Sequence, residues 1–340
     1  MKKRLIAAAV VAVSALVSVP VYGQSLDIPA KGFGISFGNS KNFTGLRFNF
    51  RDKDVERVTG VNVTFWSPRE KEPVSVITGV SFGPLVGGGK LTGLQWGLLG
   101  VAVRKNLAGI SIGGVGLGAG GDVVGLSFGG LGMGAGGSVM GVSMGGLGVG
   151  AGGSLTGIIF GGLGAGAGDN VTGLSFAGLG IGAGGNITGL TFAGLGAGAG
   201  GNVTGITIAG LGMGAGHRLT GINIAGIAAG AGEELAGLTF AGIAAGAPRV
   251  RGFAYAGAAV GGKDLKGLFV SMGMVHVPLG GAITGVAMGA FNYFRGPLTG
   301  ISIGVVNYAQ SVKGVQLGLV NIVRDNPPGL KILPVFNTSF

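Results

Sequence analysis

The chain contains no cysteine, which excludes disulfide staples, thiolate catalysis, cysteine-rich metal sites and a lipid-modified amino-terminal cysteine together. Histidine occurs only at His217 and His276. Charged residues make up 10% of the 340 residues, and from Asn106 to Gly216 the only charges are Asp122 and Asp169. The 23 Lys and Arg outnumber the 12 Asp and Glu, for a net charge of +11, yet they cluster near the two ends and at a few turns. A dense basic stripe, the electrostatic footprint of a nucleic-acid binder, is missing, so nucleic acid is not expected as a partner.

What the chain has in abundance is glycine, 81 residues, without the triplet period of collagen. The glycines alternate with Leu, Ile, Val, Phe and Met, and mean hydropathy is +0.63. That is enough apolar surface to order the chain once neighbouring units cover one another. A sixteen-residue unit, Gly189-Leu190-Thr191-Phe192-Ala193-Gly194-Leu195-Gly196-Ala197-Gly198-Ala199-Gly200-Gly201-Asn202-Val203-Thr204, begins again at Gly205. Its leading glycine recurs at Gly93, Gly109, Gly125, Gly141, Gly157, Gly173, Gly189, Gly205, Gly221 and Gly237 without insertion or deletion. A short fixed period predicts a stacked or meandering array rather than a globular enzyme.

Glycine at about every second position, with no 3.6-residue period, excludes helix. Within Val171 to Gly184, Leu174 and Phe176 are two apart, as are Leu179, Ile181 and Ala183, with a step of three between the sets. A corner at Ala177-Gly178 would bring Leu174, Phe176, Leu179, Ile181 and Ala183 into one core and turn Gly173, Ser175, Gly180 and Gly182 outward. The second break, at Gly185-Asn186 and its equivalents, offers residues that tolerate positive φ in tight turns.

Two all-β architectures satisfy the pattern. One is a β-solenoid of about 16 residues per coil; the other is an antiparallel meander closed as an outer-membrane β-barrel. Translation by a single unit favours the solenoid, because a meander duplicates in hairpins, and the position after Gly-Leu-Gly (Met133, Val149, Ala165, Ile181, Ala197, Met213) shows no two-unit rhythm. The bare outward faces and the terminal Phe340 point toward the barrel. The solenoid is the reading adopted. Eighteen coils would make a rod of roughly 85 Å.

Residues 1–23 read as a secretory signal peptide: Lys2, Lys3 and Arg4, an apolar run from Leu5 to Val19, then Val21-Tyr22-Gly23. Residues 24–43 form an amino-terminal lead-in, and 44–340 a single repeat array. Its units are irregular over 44–92, regular over 93–252 and degenerate over 253–340, where the last units and cap lie. Export to the cell surface, outer membrane or periplasm of a bacterium follows from this reading.

The degenerate units read Gly300-Ile301-Ser302-Ile303-Gly304-Val305-Val306-Asn307 and Gly314-Val315-Gln316-Leu317-Gly318-Leu319-Val320-Asn321, and the chain closes on Leu333-Pro334-Val335-Phe336-Asn337. From Gly285 to Phe340 these residues resemble the glycine-rich bacterial surface-repeat family, with its Gly-Val-Gln-Leu-Gly-Leu-x-Asn units and closing Leu-Pro-x-x-Asn element. The central units depart from that pattern, with Ser, Thr, Ala and Gly in place of Gln and Asn. The resemblance implies an exported, surface-associated protein and supplies no catalytic residue.

No catalytic, cofactor-binding or metal-ligating set is readable, and no cofactor is expected. Gly83 to Thr92 lacks the first glycine and the hydroxyl of a phosphate-binding loop, since Pro84 and Leu91 stand there. His217 and the pair Glu233-Glu234 fall at turns, and Asp122 and Asp169 replace turn residues elsewhere. A column of Thr156, Thr172, Thr188, Thr204 and Thr220, with a second of Ser175, Thr191 and Thr207, suggests an ice-binding face as a minor alternative. The principal expectation is a non-enzymatic envelope scaffold. Its partner would be an envelope component, a membrane surface or another copy, met through flat Gly/Ser/Ala faces.

Overall fold

The computed structural model describes residues 25–69 and 75–339; the predicted signal peptide and Phe340 lie outside them. Every regular element in the described residues is a β-strand. A repeat contributes one longer and one shorter strand, such as Val171–Ala177 and Gly180–Ala183. These pair with their equivalents in the next repeat. Val171–Ala177 lies parallel to Ile187–Ala193, and Gly180–Ala183 parallel to Gly196–Ala199, each in strict one-repeat register.

The chain therefore winds as a β-solenoid of about 17 turns at roughly 16 residues per coil. At one strand spacing per turn the rod is about 80 Å long. The barrel alternative is overturned. A meander closes through antiparallel neighbours, whereas parallel pairing here runs from Phe33–Phe37 through to Val312–Val323. Among the described residues antiparallel pairing occurs only at the two ends.

Each coil bends at three places. The first is Gly173, inside the longer strand, with φ of +112°. A Cβ there would stand 2.3 Å from the carbonyl oxygen of Gly157, so the position requires glycine on both conformational and steric grounds. The second bend is Gly178-Leu179 and the third Gly184 to Asn186. Positive φ was expected at the third bend, but Gly185 and Asn186 do not have it. The asparagines serve another purpose. Asn170 Oδ1 accepts from the Asn186 backbone N–H at 2.8 Å, and Asn186 Oδ1 accepts from that of Asn202 at 2.8 Å. Carboxamides thus stitch successive turns together where the strand ladder stops.

The side chains do not point as the spacing suggested. The core of this coil is Val171, Ser175, Ala177, Ile181 and Ala183. Leu174 and Phe176 are half-exposed on the outside, and Leu179 is 46% exposed at its corner. Of the predicted core only Ile181 and Ala183 are inside, and Ser175 is buried rather than outward. Gly182 does face out, whereas Gly173 is half-buried at its bend. The strand simply alternates from Val171, so Ser175 and Ala177 share its inward phase. Beside Val171 and Ile181, the narrow interior holds mostly small residues at these positions.

Both ends are sealed. Leu26–Ala30 pairs antiparallel with Phe33–Phe37, which is already in parallel register with the first motif at Thr44-Gly45. Pro29 removes a backbone donor from this outermost strand, blunting it against further pairing. Asp27 fastens the cap: it accepts from Ser40 Oγ at 2.6 Å and from the Gly32 N–H at 2.8 Å. Burial works against its charge, but these bonds and those of Ser36 and Ser25 hold the carboxyl below the usual range. Inside the first coils, Arg47 is fully buried and paired with Asp52, and Arg47 Nη1 also donates to Asn62 Oδ1 at 2.6 Å. At the carboxyl end Ile332–Asn337 folds back antiparallel on Val312–Val323.

Candidate interaction surface

The register carries the outward residues of one side into two continuous columns. One passes through Leu174 from Ile35 to Val315; the other passes through Phe176 from Phe37 to Leu317. Every member is Leu, Ile, Val, Phe, Met, Trp or Tyr, none is fully buried, and neither column holds a charge. Phe160, Phe176 and Phe192 stack with centroids 5.0 and 4.9 Å apart and ring planes 3° from parallel. Beyond the next bend a third apolar column follows the corner through Leu131, Leu147, Leu163, Leu179, Leu195 and Leu211, each 45 to 56% exposed.

Between the Phe176 and Leu179 columns lies a groove floored by small residues, Gly161, Ala177 and Ala193 among them, with a volume of about 340 Å³ over the Phe160 to Ile208 stretch. It reappears near the carboxyl end, walled by Met288, Ile303 and Leu317 on one side and Val305 and Leu319 on the other, at about 680 Å³. Sequence reasoning missed this surface because it placed the same residues in the core. The signal was there: Ser or Thr occupies the Ser175 position in most regular units, between two large apolar residues.

Behind the apolar columns the Ser175 position forms an interior column that is mostly polar in the regular units, interrupted by the buried Ile159. Ser127, Ser143, Ser175, Thr191, Thr207, Asn223 and Thr239 are all buried there. Of the proposed paired ice-binding columns, Ser175, Thr191 and Thr207 therefore never meet bulk water. Thr156, Thr172, Thr188 and Thr204 do face out, beside Ser154, Asn170, Asn186 and Asn202, and line a shallow polar groove of about 630 Å³.

Opposite the apolar side is the Gly185-Asn186 corner, where much of the charge resides. His217 and Glu233 stack there one coil apart, Nδ1 to Oε1 at 2.7 Å. Arg218 and Arg249 approach Glu233 at 3.9 and 3.8 Å, and Arg251 approaches Glu234 at 3.3 Å. The His217 hydrogen bond and the surrounding positive charge hold the Glu233 carboxyl below its ordinary range. Arg249 stands between the two adjacent glutamates, 3.8 Å from each. Among the described residues no three His, Cys, Asp or Glu converge on a metal position. Gly83 to Thr92 lies mostly within the strands Val76–Gly88 and Lys90–Val103 rather than in a loop. His276 stacks on Tyr293 at 5.7 Å.

No family model, curated protein or solved structure matches this chain. The asparagines of the carboxyl-terminal units nevertheless acquire a clear role. Asn292, Asn307 and Asn321 form a buried ladder, each Nδ2 donating to the next Oδ1 at 2.8 Å. Asn337 of the closing element is also buried and donates to the Asn321 carbonyl at 3.1 Å. These are structural positions, holding backbone at a bend and closing the last coil.

Proposed function

We propose that this protein is an exported, non-catalytic repeat scaffold of the bacterial envelope. The observation that carries the reading is the pair of uncharged apolar columns exposed along the rod. Side chains of this kind present on the order of 200 Å² per coil, so ten coils present on the order of 2,000 Å², against the few hundred Å² that a soluble monomer leaves contiguous. Surface of that extent is covered in its working state. The amino-terminal segment supports export, and the closing Leu-Pro-x-x-Asn element supports kinship with surface-repeat proteins. Function resides in the long surfaces rather than in a pocket, as in other solenoids.

Cell fractionation followed by carbonate extraction tests the reading. The protein is expected in the envelope fraction with residues 1–23 removed. Recovery as a freely soluble cytoplasmic or secreted monomer would contradict it.

A further inference from the structure

We propose that the apolar side of the rod docks on an anionic lipid surface, with the rod lying in the membrane plane and the Gly185-Asn186 corner turned to water. The proposal rests on the envelope reading only in requiring a membrane within reach. The docking face is the Leu/Phe side rather than a Gly/Ser/Ala side.

The cross-section is amphipathic in the sense that matters for interfacial binding. Leu174, Phe176 and Leu179 project from one side and its corner, while His217, Glu233 and their arginine partners sit at the opposite corner. Interfacial elements bury such an apolar face by several ångströms, and affinity grows with the area buried. Here that area is repeated in every coil.

The size pattern favours a fluid occupant over a solid one. Along one column the side chains read Phe128, Met144, Phe160, Phe176, Phe192 and Ile208, while the groove floor changes from Gly161 to Ala177. A second protein surface would need a matching step at each change, because interface cores pack as tightly as protein interiors. Acyl chains fill ridges and grooves of any height.

Charge supplies the headgroup preference. The charged residues flanking the two columns across the Gly173 bend are Lys266, Lys313 and Arg251, all exposed and all basic, Arg251 also lying 3.3 Å from Glu234. On the other border Arg51 stands in register with Trp66. Long basic side chains beside an apolar face reach phosphate oxygens while their stems stay in the apolar layer.

The chain carries its own probes. Its only tryptophans, Trp66 and Trp96, are both 49% exposed, and Trp96 belongs to the Phe176 column. The full chain is titrated with phosphatidylethanolamine–phosphatidylglycerol vesicles and with phosphatidylcholine vesicles, with and without brominated acyl chains. The proposal expects a blue shift, quenching by brominated chains and tighter binding to the anionic vesicles. Phe160→Ser with Phe176→Ser is expected to weaken partitioning at least about tenfold, whereas Thr156→Ser with Thr172→Ser leaves it unchanged. Arg251→Gln, Lys266→Gln and Lys313→Gln together should weaken the anionic preference. All variants retain residues 1–23, so that segment cannot account for the differences, and circular dichroism establishes that each retains the β-fold.

A stable dimer whose tryptophans are shielded without lipid and are not quenched by brominated chains would overturn the proposal in favour of a second copy. Absence of any vesicle response in a folded monomer would also overturn it. Envelope localisation without vesicle binding would sink the lipid proposal and leave the export reading standing; vesicle binding by a protein found only in the cytoplasm would do the reverse.

Discussion

Gly173 sits directly over Gly157, and the carbonyl oxygen of Gly157 occupies the space that a side chain on Gly173 would need, 2.3 Å from an ideal Cβ. The same contact, at 1.9 to 2.4 Å, recurs at every equivalent glycine from Gly45 to Gly314. A positive φ and a closed approach together make this column the element that bends the longer strand in each coil.

Not every glycine carries such a demand. Gly182 faces outward, has no positive φ, and an added Cβ there meets nothing within 4 Å. Gly173→Ala is therefore expected to cost at least about 1 to 3 kcal/mol, the backbone strain alone, with the collision on the Gly157 carbonyl adding to it. Gly182→Ala should be neutral or stabilise by about 0.5 kcal/mol through the unfolded chain. Parallel denaturant titrations of the two variants check the contrast.

The period, the one-unit translation and the bends near Gly178 and Gly185 were legible in the sequence because each leaves a mark at a fixed position; the bend at Gly173 was not, because Gly173 reads as an outward residue of a straight strand. Nor was side-chain direction. Alternation fixes two faces without saying which is inside, and the usual rule sends Leu174 and Phe176 inward. Ser175 and Ala177 occupy the inward phase instead, because the strand alternates from the buried Val171. The interaction surface was missed for the same reason: its residues had been assigned to the core. The Asn ladders were hidden too, since a turn asparagine reads as a positive-φ residue until its carboxamide is seen accepting a bond from the next coil.

The buried ion pair near the amino-terminal end should behave asymmetrically. Asp52→Ala leaves the Arg47 guanidinium buried without its partner, an effect on the order of 3 to 5 kcal/mol. The loss should be local, because coils interact mainly with their neighbours. Hydrogen exchange is expected to speed up over residues 42–69 while the central coils stay protected.

At the carboxyl end, Asn307→Ala removes both a donor and an acceptor from the Asn292–Asn307–Asn321 ladder. It leaves buried amide groups unpaired, at a cost of about 1 to 3 kcal/mol. Exchange over residues 282–337 should rise, and the unfolding midpoint of that segment should fall.

The His217–Glu233 pair gives a pH signature. Because the folded-state carboxyl lies below its unfolded value, its stabilising contribution is present above that unfolded value and is lost as pH falls through the folded one. Both side chains are exposed, at 59% and 44%, so the effect is small and salt-screened. His217→Ala should move the Glu233 midpoint, followed by carboxyl chemical shift, upward toward the ordinary glutamate range.

The central claim, that Ser175 and Ala177 turn inward with Val171 and Ile181 while Leu174, Phe176 and Leu179 stay outside, is tested most directly by single-cysteine labelling, since the chain has no cysteine of its own. Leu174→Cys, Phe176→Cys and Leu179→Cys in the folded protein, without lipid, should react rapidly with a water-soluble maleimide. Val171→Cys, Ser175→Cys and Ile181→Cys should react only after unfolding. Rapid labelling at Ser175→Cys with protection at Leu174→Cys and Phe176→Cys would contradict the account.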